Sequence, residues 1–187
     1  MAIAVIKRCW TGEPFTFEGA QYQVTEVTCT LPVQKPHPPV LIAGAGRRML
    51  GIAGREADVV GISPLGNRAS GFEHFGPSMA VSGERIEDQL SWIREGAGAR
   101  FADIEISVMA HHPEVTDDVV STAERLASEW GATPDQVLTS PQVFLGSTGQ
   151  IRDRFLSQRE RFGISYVVFA SAHLYAVQPV VAELAGT

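Results

Sequence analysis

The chain has 187 residues, 44% of them hydrophobic and 19% charged, with a net charge of −6. This is the composition of a folded protein long enough for a sizeable core, which excludes a disordered chain. An acidic balance without any basic run excludes nucleic acid and anionic membrane surfaces as expected partners, and no apolar run is long enough to span a bilayer.

The two cysteines, Cys9 and Cys29, lack metal-ligand spacing and suggest a reducing compartment. Residues 2–6 are apolar, but they are too few for a secretory core and have no basic lead, so the expected setting is the cytoplasm. Residues 2–10 read as the tail of a helix that begins at Met1 without a capping residue, as though its front were missing. Thr11-Gly12-Glu13-Pro14 stops it. Phe15-Thr16-Phe17 and Tyr22-Gln23-Val24 flank Glu18-Gly19-Ala20-Gln21, a pattern that predicts a small surface hairpin. Pro32, Pro36, Pro38 and Pro39 then hold a connector extended.

The segment 36–62 carries the strongest signal. Val40-Leu41-Ile42-Ala43-Gly44 follows a Pro-Pro brake and reads as a strand buried on both faces. Ala45 and Gly46 turn the chain, and residues 47–55 place Met49, Leu50, Ile52 and Ala53 at helical spacing. Val59-Val60-Gly61-Ile62 is a second buried strand. Strand, glycine-rich turn, helix and strand make a βαβ unit, and ligands of such units gather at the carboxyl ends of the strands. Here those ends are Gly44-Ala45-Gly46 and Ile62-Ser63-Pro64. The glycines serve either the turn alone or a phosphate cradle as well. Gly-Ala-Gly-Arg-Arg is not the dinucleotide fingerprint, because its third glycine and the acidic residue after the second strand are absent.

Residues 64–83 have Gly66, Gly71, Gly76 and Pro77 and no periodicity, the mark of a lid or binding loop. Phe72 and Phe75 would close it over a ligand or pin it to the scaffold. Ser82 is the expected cap of a helix over 84–96 with the stripe Ile86, Leu90, Ile93 and Ala97 and with Trp92 beside it. Residues 104–110 form the third predicted strand, followed by His111-His112. Adjacent histidines on an extended segment point opposite ways, so no metal site is expected, and one of them is placed instead near a cofactor pocket. Residues 117–130 predict a helix, and Thr133-Pro134-Asp135-Gln136 and Ser147-Thr148-Gly149-Gln150 predict capping boxes. The helix to Phe162 has a charged set (Arg152, Asp153, Arg154, Arg159, Glu160 and Arg161) expected on a solvated face, and Gly163 ends it. Residues 165–170 are the fourth buried strand and 176–184 a closing helix.

Four parallel strands at 40–44, 59–62, 104–110 and 165–170, each followed by a helix, make the expected fold α/β: half of an eight-stranded TIM-type (β/α) barrel. Residues 1–39 (helix end, hairpin and connector) and 40–187 (four βα units) are expected to form a single domain. A complete barrel needs about 250 residues, and a half-barrel leaves two apolar edges open. A partner that fills the missing half, or truncation, is therefore expected. An open doubly wound sheet is the structural alternative.

Several ordered motifs carry a resemblance. Trp10-Thr11-Gly12-Glu13-Pro14, Phe17-Glu18-Gly19, Tyr22, the run 36–62, REGAGARF (94–101), LGSTGQIRDRF (145–155) and RFGISYVVF (161–169) resemble the C-terminal half of the luciferase-like (LLM class) oxidoreductases. They are most similar to the branch dependent on the deazaflavin coenzyme F-420, with FMN as the alternative cofactor. The resemblance implies that these four strands are the fifth to eighth of the family's barrel. It implies cofactor contacts, largely through backbone, at Gly44, Ala45, Gly46, Arg48 and Met49, and a substrate-side position at Ser63. Arg47 and Arg48 either add charge there or face solvent. General barrel geometry would instead place a phosphate near Gly146-Ser147 or Ser171.

The implied function is hydride transfer between reduced deazaflavin and a small organic substrate. A non-catalytic half-barrel that binds ligand or pairs with another subunit, as a homodimer or with the missing N-terminal half, is the alternative. The family's early strands carry the residues that hold the ring and move the proton, so no catalytic residue is assigned.

Overall fold

The computed structural model describes residues 2–63 and 83–185. The expected binding loop 64–83 with Phe72 and Phe75, and the Ser82 cap, lie outside the described residues apart from the backbone of Gly83. The chain divides into two compact units, Met1–Val40 and Leu41–Thr187.

In the first unit, helix α1 (Ala2–Cys9) buries none of its residues. Strands β1 (Phe15–Glu18) and β2 (Gln23–Val27) pair antiparallel through Phe17↔Val24 and Glu18↔Gln23, which is the hairpin the sequence predicts. The Gly19 amide closes its turn on the Tyr22 carbonyl at 2.9 Å. Arg8 ties helix to hairpin by donating to the Thr16 carbonyl at 3.0 Å while lying over the Phe17 ring. Trp10 stacks on His37 with centroids 5.1 Å apart. Cys9 and Cys29 are free thiols. A hydrogen bond with Cys29 and partial burial push the Cys9 thiol up from its ordinary range.

The second unit is built on a parallel sheet in the order β3-β4-β5-β8. Its strands are β3 (Leu41–Gly44), β4 (Val59–Ile62), β5 (Glu105–Ala110) and β8 (Ile164–Phe169). A second, two-stranded parallel sheet pairs β6 (His112–Val115) with β7 (Val143–Gly146). The helices are α2 (Arg47–Glu56), α3 (Gly83–Ala97), α4 (Val119–Trp130), α5 (Pro134–Thr139), α6 (Thr148–Phe162) and α7 (Leu174–Leu184). Helix α2 crosses from β3 to β4, which pair as Leu41↔Val59 through Gly44↔Ile62. The four expected strands are present in the expected parallel arrangement, and they form part of a barrel that does not close among the described residues.

Two strands are less buried than their apolar runs predict. β4 is buried at every position, but β3 alternates, with Leu41 51% exposed, and β8 is buried only at Ile164. Both are terminal in the sheet order. A central strand is covered by neighbours on both sides, whereas a terminal one loses that cover on its outer side. An apolar run cannot encode this difference. A groove of about 290 Å³ borders β8, lined by Leu156, Arg159, Tyr166 and Val181 among others.

The main core joins Leu50 and Ala53 of α2, Val60 and Ile62 of β4, Ile86, Leu90 and Ile93 of α3, and Ile106 and Val108 of β5. The predicted α3 stripe is thus the core face. Both capping boxes form: Thr133 with Gln136 and Ser147 with Gln150, each side chain satisfying the other's backbone amide. Gly163 ends α6 at φ +70°, a left-handed position that disfavours any side chain.

Arg154 departs from the solvated face expected of α6. It is partly buried, donates to the Ser140 carbonyl at 2.7 Å and lies over the Phe144 ring. Burial lowers the pKa of its guanidinium. The Ser140 carbonyl gives the half-buried guanidinium an acceptor while the aliphatic stem covers apolar surface.

The motif REGAGARF has a physical reading. Arg94 stacks over Phe101, and Glu95 takes an ion pair from Arg47 at 2.9 Å. Gly96 lies against the backbone of Gly51 in α2. Gly98 sits at φ +56° in the 3-10 turn Gly98–Asp103. Arg100 closes the far end of α2, donating to the carbonyls of Gly54 (2.8 Å), Arg55 (3.0 Å) and Ala57 (2.9 Å). A helix leaves its last carbonyls unpaired and carries negative potential there, so a guanidinium suits both needs. Arg100→Ala should therefore lower stability by about 2 kcal/mol, the usual range for hydrogen bonds to a charged group. Urea unfolding would measure it, and Arg100→Lys should recover only part, because an ammonium cannot span the three acceptors.

Candidate functional site

The expected site lies where β3 and β4 end. The Ser63 amide donates to the Gly44 carbonyl at 2.9 Å, continuing the β3–β4 ladder one residue past the strands. Gly44, Ala45, Gly46 and Ser63 are thereby brought together at the carboxyl edge of the sheet, and α2 starts beside them.

Each glycine of the turn has its own reason. A Cβ on Gly44 would fall 2.5 Å from Met49 Cγ, so Met49 packs where the side chain would be. Gly46 has φ −101° and ψ 154°, a conformation open to any residue, and a Cβ there would meet nothing within 4 Å among the described residues. The turn therefore does not require a glycine at 46. Among the described residues, what the glycine provides is open space directly before the first turn of α2.

That first turn is uncapped. Gly46 makes no side-chain cap, so the leading amides of α2 have no side-chain acceptor among the described residues. The N-terminus of α6, near the alternative phosphate position at Gly146-Ser147, is closed by its own capping box. The position at Ser171 is closed as well: the 3-10 turn Ser171–His173 bonds the His173 amide to Ala170 and the Leu174 amide to Ser171 before α7 begins. Of these three helix starts, α2 alone has neither a capping side chain nor a preceding 3-10 turn among the described residues.

The two arginines behave differently. Arg47 is held by Glu95 in an exposed pair. Arg48 has no hydrogen-bond or ion-pair partner among the described residues, and Met49 is 46% exposed. Among the described residues, an anionic group at the α2 start would meet free amides, open space at Gly46 and a guanidinium without a partner. The residues present therefore fit an anionic cofactor.

Gln89 is a residue of this region that sequence reasoning missed. It is fully buried on α3, and its Nε2 donates to the carbonyls of Ala45 (3.0 Å) and Ser63 (2.9 Å). Arg85 adds a longer bond to Ala45 at 3.4 Å. The signal was present: Gln89 lies three residues after Ile86 and four before Ile93, a lone amide inside an apolar stripe.

His111 and His112 follow β5, the strand beside β4 in the sheet. His111 is partly buried, and burial lowers its pKa. His112 opens β6, donates from Nε2 to Glu114 Oε2 at 2.8 Å, and meets the edges of Trp130 and His173. Burial alone would raise the Glu114 carboxyl, but hydrogen bonds from His112 and Arg125 outweigh it and hold the group below its ordinary range. Among the described residues, no group of three His, Cys, Asp or Glu side chains is placed to hold a metal ion. No described helix is long and apolar enough to cross a membrane.

The profile of the family described as luciferase-like monooxygenase matches residues 2–164. The chain belongs to the luciferase-like monooxygenase family. No curated protein matches it in sequence. Among solved structures it is similar to monooxygenase RslO1 from Streptomyces bottropensis (TM-score 0.64, 18% identity), covering 98% of this chain and 58% of that one. It is also similar to an F420-dependent secondary alcohol dehydrogenase in complex with an F420-acetone adduct (TM-score 0.66, 14% identity, 96% and 60% covered). The coenzyme F420-dependent tetrahydromethanopterin reductase of Methanopyrus kandleri is a third (TM-score 0.63, 14% identity, 96% and 59% covered). At these identities the likeness establishes the fold. The luciferase-like chain described here spans about 60% of the length of these structures.

Proposed function

We infer that this chain is the cofactor-turn portion of a deazaflavin-dependent luciferase-like oxidoreductase acting on a small organic substrate. The observation that carries this reading is the uncapped start of α2 at the carboxyl edge of the sheet, with open space at Gly46. The Gly44-Ala45-Gly46 turn, Arg48 and Met49 are the residues proposed to hold coenzyme F-420, and Ser63 the one that faces substrate. When bound, a reduced deazaflavin supplies a hydride, and the protein supplies position and electrostatics. The amides of α2 and Arg48 hold the anionic part, Met49 gives an apolar contact, and Ser63 offers a hydroxyl one strand away. Two of the similar structures are F420-dependent proteins by name, which supports the deazaflavin reading, while another is in complex with a modified FMN, the alternative cofactor. A cytoplasmic setting and a single luciferase-like domain made of both units go with this reading.

A second reading is favoured by the terminal strands. β3 and β8 end the sheet, and β8 is fully buried only at Ile164. Strands of that kind pair with further chain. A second copy of this protein, or a polypeptide supplying the remaining strands, is the proposed partner.

Equilibrium titration of the purified chain with reduced and oxidised deazaflavin, beside FMN, tests the first reading by fluorescence. Micromolar deazaflavin binding with weaker FMN binding is the expected result. Uptake of neither cofactor overturns it. Size-exclusion chromatography of the same sample tests the second, for which a discrete dimer is expected and a monomer at all concentrations is the contrary result.

A further inference from the structure

We propose that Gln89 is a positioning residue that sets the spacing between the cofactor turn and the substrate-side strand end; this rests on the reading above. One carboxamide nitrogen has two hydrogens, and both are used: one on the Ala45 carbonyl at 3.0 Å, the other on the Ser63 carbonyl at 2.9 Å. Ala45 belongs to the turn after β3, and Ser63 follows β4. A single planar group therefore holds the two strand ends at a fixed separation. It does so from α3, whose Ile86, Leu90 and Ile93 are locked in the core on either side.

The cost of this arrangement argues for a role beyond packing. Gln89 is fully buried, and its Oε1 has no partner among the described residues. Burying an amide oxygen unpaired is unfavourable, and an apolar side chain at 89 would complete the stripe without that cost. What an apolar side chain cannot do is add two hydrogen bonds from α3 to the backbone bond, Ser63 amide to Gly44 carbonyl, that otherwise keeps these strand ends from splaying. Splaying matters here because the α2 amides begin immediately after Ala45, and small displacements of a binding group are costly to function.

Gln158 offers a matched control. It too is buried, donates Nε2 to a carbonyl (Pro141, 2.8 Å) and leaves Oε1 without a partner, but it sits on α6, away from the turn. Gln89→Met keeps the side-chain length and removes both donors, and Gln158→Met does the same at the control position. The test compares unfolding midpoints, deazaflavin dissociation constants and amide hydrogen exchange in the unliganded proteins. Both variants should lose stability. Gln89→Met alone should raise the dissociation constant at least tenfold and speed exchange at the Ser63 and Leu50 amides at least tenfold. Binding within twofold of the unaltered protein in Gln89→Met, unchanged exchange at Ser63, or equal weakening by Gln158→Met would each overturn the proposal. Should the unaltered chain take up neither cofactor, the functional reading fails, while exchange at Ser63 and Leu50 still decides whether Gln89 holds the two strand ends.

Discussion

Gly96→Ala is expected to destabilise the protein by about 3 kcal/mol, a fall in Tm of roughly 6–12 °C for a chain of this size. The added Cβ would collide with the Gly51 carbonyl oxygen and lie 2.9 Å from Gly51 Cα, so it meets backbone and not a side chain that can swing away. Gly54 stands in the same position towards α3, where a Cβ would strike the Ile93 carbonyl and approach the Ala97 nitrogen at 2.9 Å. Helices α2 and α3 thus touch backbone to backbone, and relief requires moving one of them. Alanine gains about 1 kcal/mol over glycine in a helix interior, which is too little to reverse the sign. Gly51→Ala is the informative contrast. Its Cβ would find its nearest neighbours at 4.0 Å, so the helix preference should win and stability should rise by up to about 1 kcal/mol. Thermal unfolding of the two variants side by side checks both signs.

Gly46→Asp is expected to move stability and binding in opposite directions. The aspartate fits the existing backbone conformation, and its carboxylate caps the first turn of α2, a gain of about 0.5 kcal/mol. The same carboxylate occupies the free amides and places a negative charge where an anionic cofactor is proposed to lie. Deazaflavin affinity should fall on the order of a hundredfold, a loss of about 2.7 kcal/mol. A stabilised variant that binds as tightly as the unaltered chain would remove the α2 start from the binding site.

What could be read in the sequence follows the range of the interactions involved. The capping boxes at Thr133 and Ser147, the stop at Gly163 and the stripe of α3 depend on residues within a turn or two of each other, and all are present as expected. The β6–β7 pair was not foreseen. It joins His112 to Val143, and HPEV, with a proline, shows no strand pattern of its own, so only the distant partner makes it a strand. Exposure of β3 and β8 escaped for a related reason: position in a sheet is not written in the strand itself. The inward turn of Arg154 is not legible in its own helix, because the Ser140 carbonyl that accepts from it lies on another element. At the site, the turn at 44–46 stood out through its glycines. Gln89 did not, since its two acceptors come from different strand ends.

The sheet order has a consequence for how the protein is made. β3, β4 and β5 are successive and can assemble as soon as residue 110 has left the ribosome, but β8 pairs with β5 through contacts such as Ile106↔Ile164 and Val108↔Val167. Until the last strand is synthesised, β5 is itself a bare edge, carrying Ile106 and Val108 that are buried in the finished fold. Closing so long a stretch of chain is slow, and apolar edges left waiting are where nascent proteins aggregate. The yield of soluble protein should therefore depend on the interval between synthesis of β5 and of β8, and slower translation through α4–α6 should reduce it.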